Sequence, residues 1–145
     1  MKAVVVKRIE FDAAHYLPHY KGKCADVHGH RWVLEVGVSG QVDEYSGMVV
    51  DFSILKEALQ PIVDNLDHKI VNTTVENPTA ENIAIYILNW LQKNSDIGNM
   101  LEFVRVWETP DSYAEIQPEG PRIEDLIKSY AKENWIESKS KVRCQ

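Results

Sequence analysis

Alternation with a period of two opens the chain. Val4 and Val6 alternate with Val5 and Lys7, and then Ile9, Phe11, Ala13 and His15 share one parity. This predicts a strand over 2–14 with an imidazole at the end of its apolar face. Leu17–Lys23 reads as loop, punctuated by Pro18 and Gly22. Alternation returns over 30–42, with Trp32, Leu34, Val36 and Val38 on one face and Arg31, Glu35 and Gly37 on the other. A turn at Asp43–Gly47 and a short extended exit at Met48–Val50 follow.

The period then lengthens to three and four. Phe52, Leu55, Leu59, Ile62, Val63 and Leu66 form one helical stripe behind Asp51, a predicted N-cap. Pro61 lies inside that stripe and predicts a kink or break. The segment closes on Asp67-His68. A second helix follows Asn77-Pro78-Thr79, with Ile83, Ile87, Trp90 and Leu91 buried and either Asn77 or Thr79 as its cap. Residues 100–108 and 113–117 read as strands around a turn at Pro110-Asp111. From Pro121 a separate amphipathic helix carries Ile123, Leu126, Ile127, Tyr130 and Trp135, and Glu137–Gln145 is expected to be a frayed polar tail.

The element order ββααββ predicts an α+β fold, a four-stranded antiparallel sheet with two helices on one face. Residues 1–120 make its domain and 121–145 a C-terminal helical extension. Such a sheet keeps two open edges and an uncovered face, which calls for partners. Association of copies into a closed barrel is the simplest solution.

Composition narrows the function classes. The 145 residues allow one ordinary core, and 44% hydrophobic with 26% charged content is that of a globular domain. A formal charge of −6 argues against a general nucleic-acid binder. No apolar run suits a signal peptide or a membrane span, so a cytoplasmic protein is expected. Cys24 and Cys144 make no disulfide framework, and Cys144 reads as an inert surface thiol.

Three constellations carry candidate chemistry. In Cys24-Ala25-Asp26-Val27-His28-Gly29-His30 the two imidazoles fall on one face of an extended chain, about 6.5–7 Å apart along the strand. With His15 they suit a divalent metal with a fourth position open, a catalytic arrangement. Cys24 as fourth ligand would instead make a structural knot, and ordinary strand histidines are the third alternative. Asp67-His68 places a carboxylate beside an imidazole at a helix end, which suits a general base or a solvated terminus. Adjacent side chains seldom pair well, so another partner is expected for each. Glu108 shares parity with Val104 and Val106, and a carboxylate on that face needs donors. An aminopyrimidinone edge would supply two adjacent N–H groups, and an exposed strand end just before Pro110 is the alternative.

Cys24-x-x-x-His28-Gly29-His30 behind Phe11-x-Ala13-Ala14-His15 resembles the 6-pyruvoyltetrahydropterin synthase superfamily. Leu66-Asp67-His68, Glu76-Asn77-Pro78-Thr79-x-Glu81 and Trp107-Glu108-Thr109 fit it in the same order, over residues 5 to 117. The three-residue spacer and Glu-Asn-Pro-Thr resemble its 6-carboxytetrahydropterin synthase branch in queuosine biosynthesis. A branch making the folate precursor replaces the cysteine with glutamate, whereas this chain keeps Cys24. The resemblance implies a tunnelling fold (T-fold) whose sheets join into a barrel, typically a homohexamer of two trimers. It implies Zn2+ on His15, His28 and His30, Cys24 as a base, and Asp67 with His68 as a second proton-transfer unit. Glu108 becomes the anchor of the pterin ring, with Thr79 beside it. The implied reaction converts 7,8-dihydroneopterin triphosphate to 6-carboxytetrahydropterin, acetaldehyde and triphosphate. Lys21 and Lys23 are expected triphosphate contacts on local charge alone. Formation of 6-pyruvoyltetrahydropterin, an unrelated zinc hydrolase and a non-catalytic zinc-binding protein are the competing readings.

Overall fold

The computed structural model describes the backbone of residues 1–121 and 123–143, and the side chains of 1–121 and 125–135. Two long strands, β1 (Lys2–His15) and β2 (His28–Gln41), pair antiparallel from end to end. Helix α1 (Phe52–Leu66), a two-residue strand β3 (Lys69–Ile70) and helix α2 (Ala80–Asn94) follow. Strands β4 (Leu101–Thr109) and β5 (Ser112–Ile116) close the sheet, and α3 (Ile123–Arg143) ends the chain. The expected four-stranded antiparallel sheet is a five-stranded one, ordered β3-β1-β2-β4-β5, with β3 parallel to β1. Two residues are too few to show any alternation, which is why the pattern hides β3. Met48–Val50 is a bend rather than a strand.

The inward parity is the one the pattern indicates. Trp32, Leu34, Val36 and Val38 of β2 and Val104 and Val106 of β4 are fully buried. They meet Leu55, Leu59, Ile62 and Leu66 of α1 and Ile83, Ile87 and Leu91 of α2, all at zero exposure. Each such side chain contributes about 1.5–3 kcal/mol of burial, so the sheet-helix register is strongly held. Trp90 is only partly buried, and Phe52, at the start of its helix, is exposed.

Pro61 does not break α1, which runs unbroken through it. Pro61 faces solvent, so the carbonyl it leaves without an N–H partner meets water, while buried Leu59, Ile62 and Val63 hold the segment to the sheet. Asp51 caps α1 by accepting from Ser53 N at 2.8 Å. Thr79, not Asn77, caps α2, its hydroxyl accepting from Asn82 N at 3.1 Å.

The other sheet face is uncovered and charged. The ladders put Arg8 opposite Glu35, Glu35 opposite Arg105 and Arg105 opposite Glu115, a row of alternating sign across four strands. Helix α3 continues to Arg143, so the expected frayed tail is helical. Its Leu126, Ile127, Tyr130 and Trp135 are exposed, whereas the side chain of Ile123 and all of Cys144 lie outside the described residues. No described helix is long and apolar enough to cross a membrane.

Restoring the missing helix hydrogen bond with Pro61→Ala is expected to stabilise the fold by about 2 kcal/mol, after allowance for a more flexible unfolded chain. The check is a higher urea midpoint at unchanged slope.

Candidate metal centre and the adjoining Asp67–His68 pair

One strand pair delivers three imidazoles to one place. Cross-strand partners share a face, and the register sets His15 opposite His28 and Ala13 opposite His30. The ring centroids lie 4.6 Å (His15 to His28), 5.2 Å (His15 to His30) and 4.8 Å (His28 to His30) apart. His15 is fully buried, and Trp32 floors the cluster with its indole edge-on to His15 and His30. The Trp32 N–H is itself satisfied by the Ala13 carbonyl at 3.1 Å.

The hydrogen bonds set the tautomers. His15 Nδ1 donates to the Pro78 carbonyl at 2.8 Å and His28 Nδ1 donates to the Asp26 carbonyl at 2.7 Å. A carbonyl only accepts, so in the neutral rings both Nε2 atoms carry bare lone pairs. They stand 3.0 Å apart, a repulsive contact unless a cation lies between them. His30 Nε2 is buried without any hydrogen-bond partner. Burial is the main force lowering the His30 pKa, against the pull of Glu108, and the neutral ring is the form that offers a lone pair.

Glu108 completes the group. Its Oε1 is 3.2 Å from His15 Nε2 and 3.6 Å from His30 Nε2. Donor atoms of His15, His28, His30 and Glu108 all fall within 4.8 Å of one another. A tetrahedral ion with bonds of about 2.0–2.1 Å spaces its ligand atoms about 3.3 Å apart, near the 3.0 Å between His15 and His28 Nε2, so the three imidazoles fit a zinc-like ion with Glu108 beside its fourth, open position. Glu108 therefore sits with the histidines, at the end of the inward parity of β4, rather than apart from them. Cys24 contributes no donor to the group. It is half-buried on a short helical turn, Lys23–Ala25, whose loop is tied by Leu17 N to the Cys24 carbonyl at 3.0 Å. Lys21 and Lys23 are exposed on the same loop.

Asp67 and His68 do bond each other. His68 Nδ1 is 3.0 Å from Asp67 Oδ2, a geometry opened by the left-handed backbone of His68 at φ 56. It is the only non-glycine with positive φ among the described residues, and such a residue costs of order 1 kcal/mol or more. Main-chain contacts to β1 hold it: His68 N donates to the Asp12 carbonyl at 2.6 Å, and Asp12 N donates to Asp67 Oδ1 at 2.9 Å. The Asp12 amide, and then His68, keep the Asp67 carboxyl below the usual range.

Two open depressions meet at β2. One, of about 500 Å3, is lined by His30, Arg31, Trp107, Glu108 and Thr109 among others. The second, of about 550 Å3, is lined by Asp12, His30, Arg31, His68 and Lys69 among others. Neither is lined by Cys24, Lys21 or Lys23. The sequence pattern missed four contributors: the Pro78 and Asp26 carbonyls that orient His15 and His28, and the side chains of Asp12 and Arg31. The first two are main-chain groups, and the other two become neighbours only through the strand register.

These features define an α+β protein of the tunnelling fold with a histidine-rich, metal-competent centre at one end of its sheet. Residues 4–119 match the family model described as 6-pyruvoyl tetrahydropterin synthase. The chain belongs to that family. It is 43% identical over 107 residues to a putative 6-carboxy-5,6,7,8-tetrahydropterin synthase of Archaeoglobus fulgidus, covering 74% of this chain and 89% of the relative. It is 39% identical over 131 residues to the 6-carboxy-5,6,7,8-tetrahydropterin synthase of Synechocystis, covering 86% and 98%. A dihydroneopterin monophosphate aldolase of Pyrococcus furiosus is 36% identical over 117 residues, covering 81% and 99%. The structure of Caenorhabditis elegans 6-pyruvoyl tetrahydropterin synthase superposes with a TM-score of 0.76 at 29% identity, covering 82% of this chain and 97% of that one.

If the imidazoles hold the metal and the thiol does not, His28→Ala loses the bound ion while Cys24→Ala keeps about one per chain. Metal analysis after dialysis, with cobalt substitution to read coordination, checks both. Loss of the ion from Cys24→Ala would restore the four-ligand knot.

Proposed function

We propose that the chain is a zinc-dependent carbon–carbon lyase acting on 7,8-dihydroneopterin triphosphate. One water is consumed to supply the second carboxylate oxygen, and the products are 6-carboxy-5,6,7,8-tetrahydropterin, acetaldehyde and triphosphate, made for queuosine or a related 7-deazapurine. The observation that carries the metal part is the set of converging Nε2 atoms, two of them with Nδ1 committed to carbonyls and one buried without a partner. The relatives named 6-carboxytetrahydropterin synthase support the reaction.

His15, His28 and His30 would hold the ion, with Trp32 and the Pro78 and Asp26 carbonyls fixing the rings. When bound, zinc supplies a Lewis acid for the substrate's side-chain oxygens. Cys24 is the base that takes a proton from the side-chain carbon. His68 handles the second proton at Nε2, because Asp67 holds its Nδ1. Asp67 stays an acceptor because the Asp12 amide favours its ionised form. Glu108, one-third exposed at the lip of the cluster, takes the adjacent N–H groups of the pterin and orients the side chain over the metal. The Thr79 hydroxyl accepts from Asn82 N in its helix cap and keeps its own O–H to donate to the pterin ring. Lys23, with Lys21, meets the triphosphate from the loop that carries Cys24. The sheet edges at β3 and β5 and the uncovered face support association of copies, and the assembly proposed is a cytoplasmic hexamer of two trimers.

A second reading, cleavage of dihydroneopterin monophosphate, rests on the Pyrococcus relative. Zinc-loaded protein incubated with dihydroneopterin triphosphate is expected to release acetaldehyde, read by coupled reduction. A phosphorylated aldehyde from the monophosphate points to the aldolase, and a pyruvoyl pterin without aldehyde to the other synthase. Cys24→Ala is expected to abolish turnover with the metal retained. Glu108→Ala is expected chiefly to raise KM, by about tenfold or more for a lost charge-assisted pair.

A further inference from the structure

Asp12 holds both members of the Asp67–His68 pair by its main chain. Its side chain is equally close. The ligand atoms of Asp12, Asp67 and His68 lie within 4.8 Å of one another, so a second carboxylate stands beside the imidazole. That carboxylate is not free. The β1–β2 register sets Asp12 opposite Arg31, and Arg31 Nη1 donates to both Asp12 oxygens, at 3.2 and 3.0 Å. The other side of the guanidinium holds Glu10, with Nε at 3.1 Å and Nη2 at 3.0 Å from Oε2. Arg31 is therefore committed to two carboxylates and has little left to offer an anionic substrate. It also follows His30 in sequence and lines both depressions.

We infer that Arg31 is a positioning residue for the proton-transfer pair. By holding the Asp12 carboxylate, it leaves Asp67 as the working anionic partner of His68 and steadies the turn of β1 that clasps both.

The physical reason is local charge. A free carboxylate a few ångströms from an imidazole favours the imidazolium, which cannot accept a proton. Paired with a guanidinium, the same carboxylate presents only a dipole. The titratable and charged groups around His68 are Asp67 from the end of α1, Asp12 from β1, His30 and Arg31 from β2 and Lys69 from β3. Lys69 is turned away, its Nζ donating to the Asp64 carbonyl at 2.9 Å. His68 stands outside the group of His15, His28, His30 and Glu108. The bland alternative is a solvated ion cluster of little consequence, the usual fate of exposed pairs.

The role rests on the reading of Asp67 and His68 as a proton-transfer pair, so the test has two readouts. The first is the titration midpoint of His68 by NMR of its ring C–H, in the zinc-loaded wild type, Asp12→Asn, Arg31→Gln and the double variant. Arg31→Gln is expected to raise the midpoint by about half a unit, because an anion is unmasked. Asp12→Asn is expected to lower it, because an anion beside the imidazole is removed while Arg31 stays paired with Glu10. The double variant, neutral like the native pair, is expected to return to within about 0.2 units of wild type. Arg31→Lys keeps the charge without the fork and is expected to stay near wild type. All shifts should shrink in about 1 M salt. Equal-sign shifts from both single variants, or none, overturn the inference, because a merely structural role has no reason to change sign.

The second readout is the acid limb of the kcat–pH profile, expected to move with the midpoint in each variant. Midpoints that move while that limb stays put remove His68 from proton transfer, and with it any catalytic part for Arg31. Fixed midpoints in a fully active enzyme refute Arg31 alone and leave the proposed function standing.

Discussion

The pairing of β1 with β2 is the constraint from which the rest follows. It runs without interruption from Lys2 opposite Gln41 to His15 opposite His28. With β1 held on the core, a slip of β2 by one residue would turn Trp32, Leu34 and Val36 to solvent and send His15 and His28 to opposite faces of the sheet. The free energy of burying the core therefore also enforces the geometry of the imidazole cluster. No separate device is needed to bring the imidazoles together. What is added is orientation, from the Pro78 and Asp26 carbonyls and the edge of Trp32.

That arrangement places polar atoms where the apolar parity would have put hydrocarbon. His15 is as buried as Leu34, and His30 has a buried nitrogen without a partner. Such groups are costly unless a ligand satisfies them. Glu108 ends the inward face of β4 in the same way. The sheet thus gives up packing at one end and gains a concentrated set of donors there. The residues nearest the centre are the ones whose parity is right and whose chemistry is wrong for a core.

A second layer of organisation passes through Asp12. Its amide and carbonyl fasten Asp67 and His68 to β1, and its carboxylate is bound to Arg31 on β2. The strained backbone of His68 persists because these contacts over-determine it. The same contacts create β3, the short parallel edge strand. The imidazole cluster and the Asp67–His68 pair are therefore tied to the two faces of one strand pair, the first to inward residues and the second to outward ones.

Much of this was legible in the chain itself. Period-two and period-3.6 patterns identify both long strands, both core helices and the hairpin of β4 and β5, because burial of one face leaves its mark on every second or every third to fourth residue. His15 ending the Ile9-Phe11-Ala13 series, His-Gly-His, and Glu108 behind Val104 and Val106 are polar exceptions within such series, and the exceptions mark the site. Periodicity says nothing of β3, of the unbroken helix through Pro61, or of the Asp67–His68 bond, since each depends on what lies across space. The lone pairs of His15 and His28 became visible only when Pro78 and Asp26 took the opposite nitrogens. The link from Arg31 through Asp12 to His68 needed the register and the turn of a left-handed residue. One-dimensional order thus determined which side chains face the core. Tertiary structure alone decided which atoms of those side chains are left free to react.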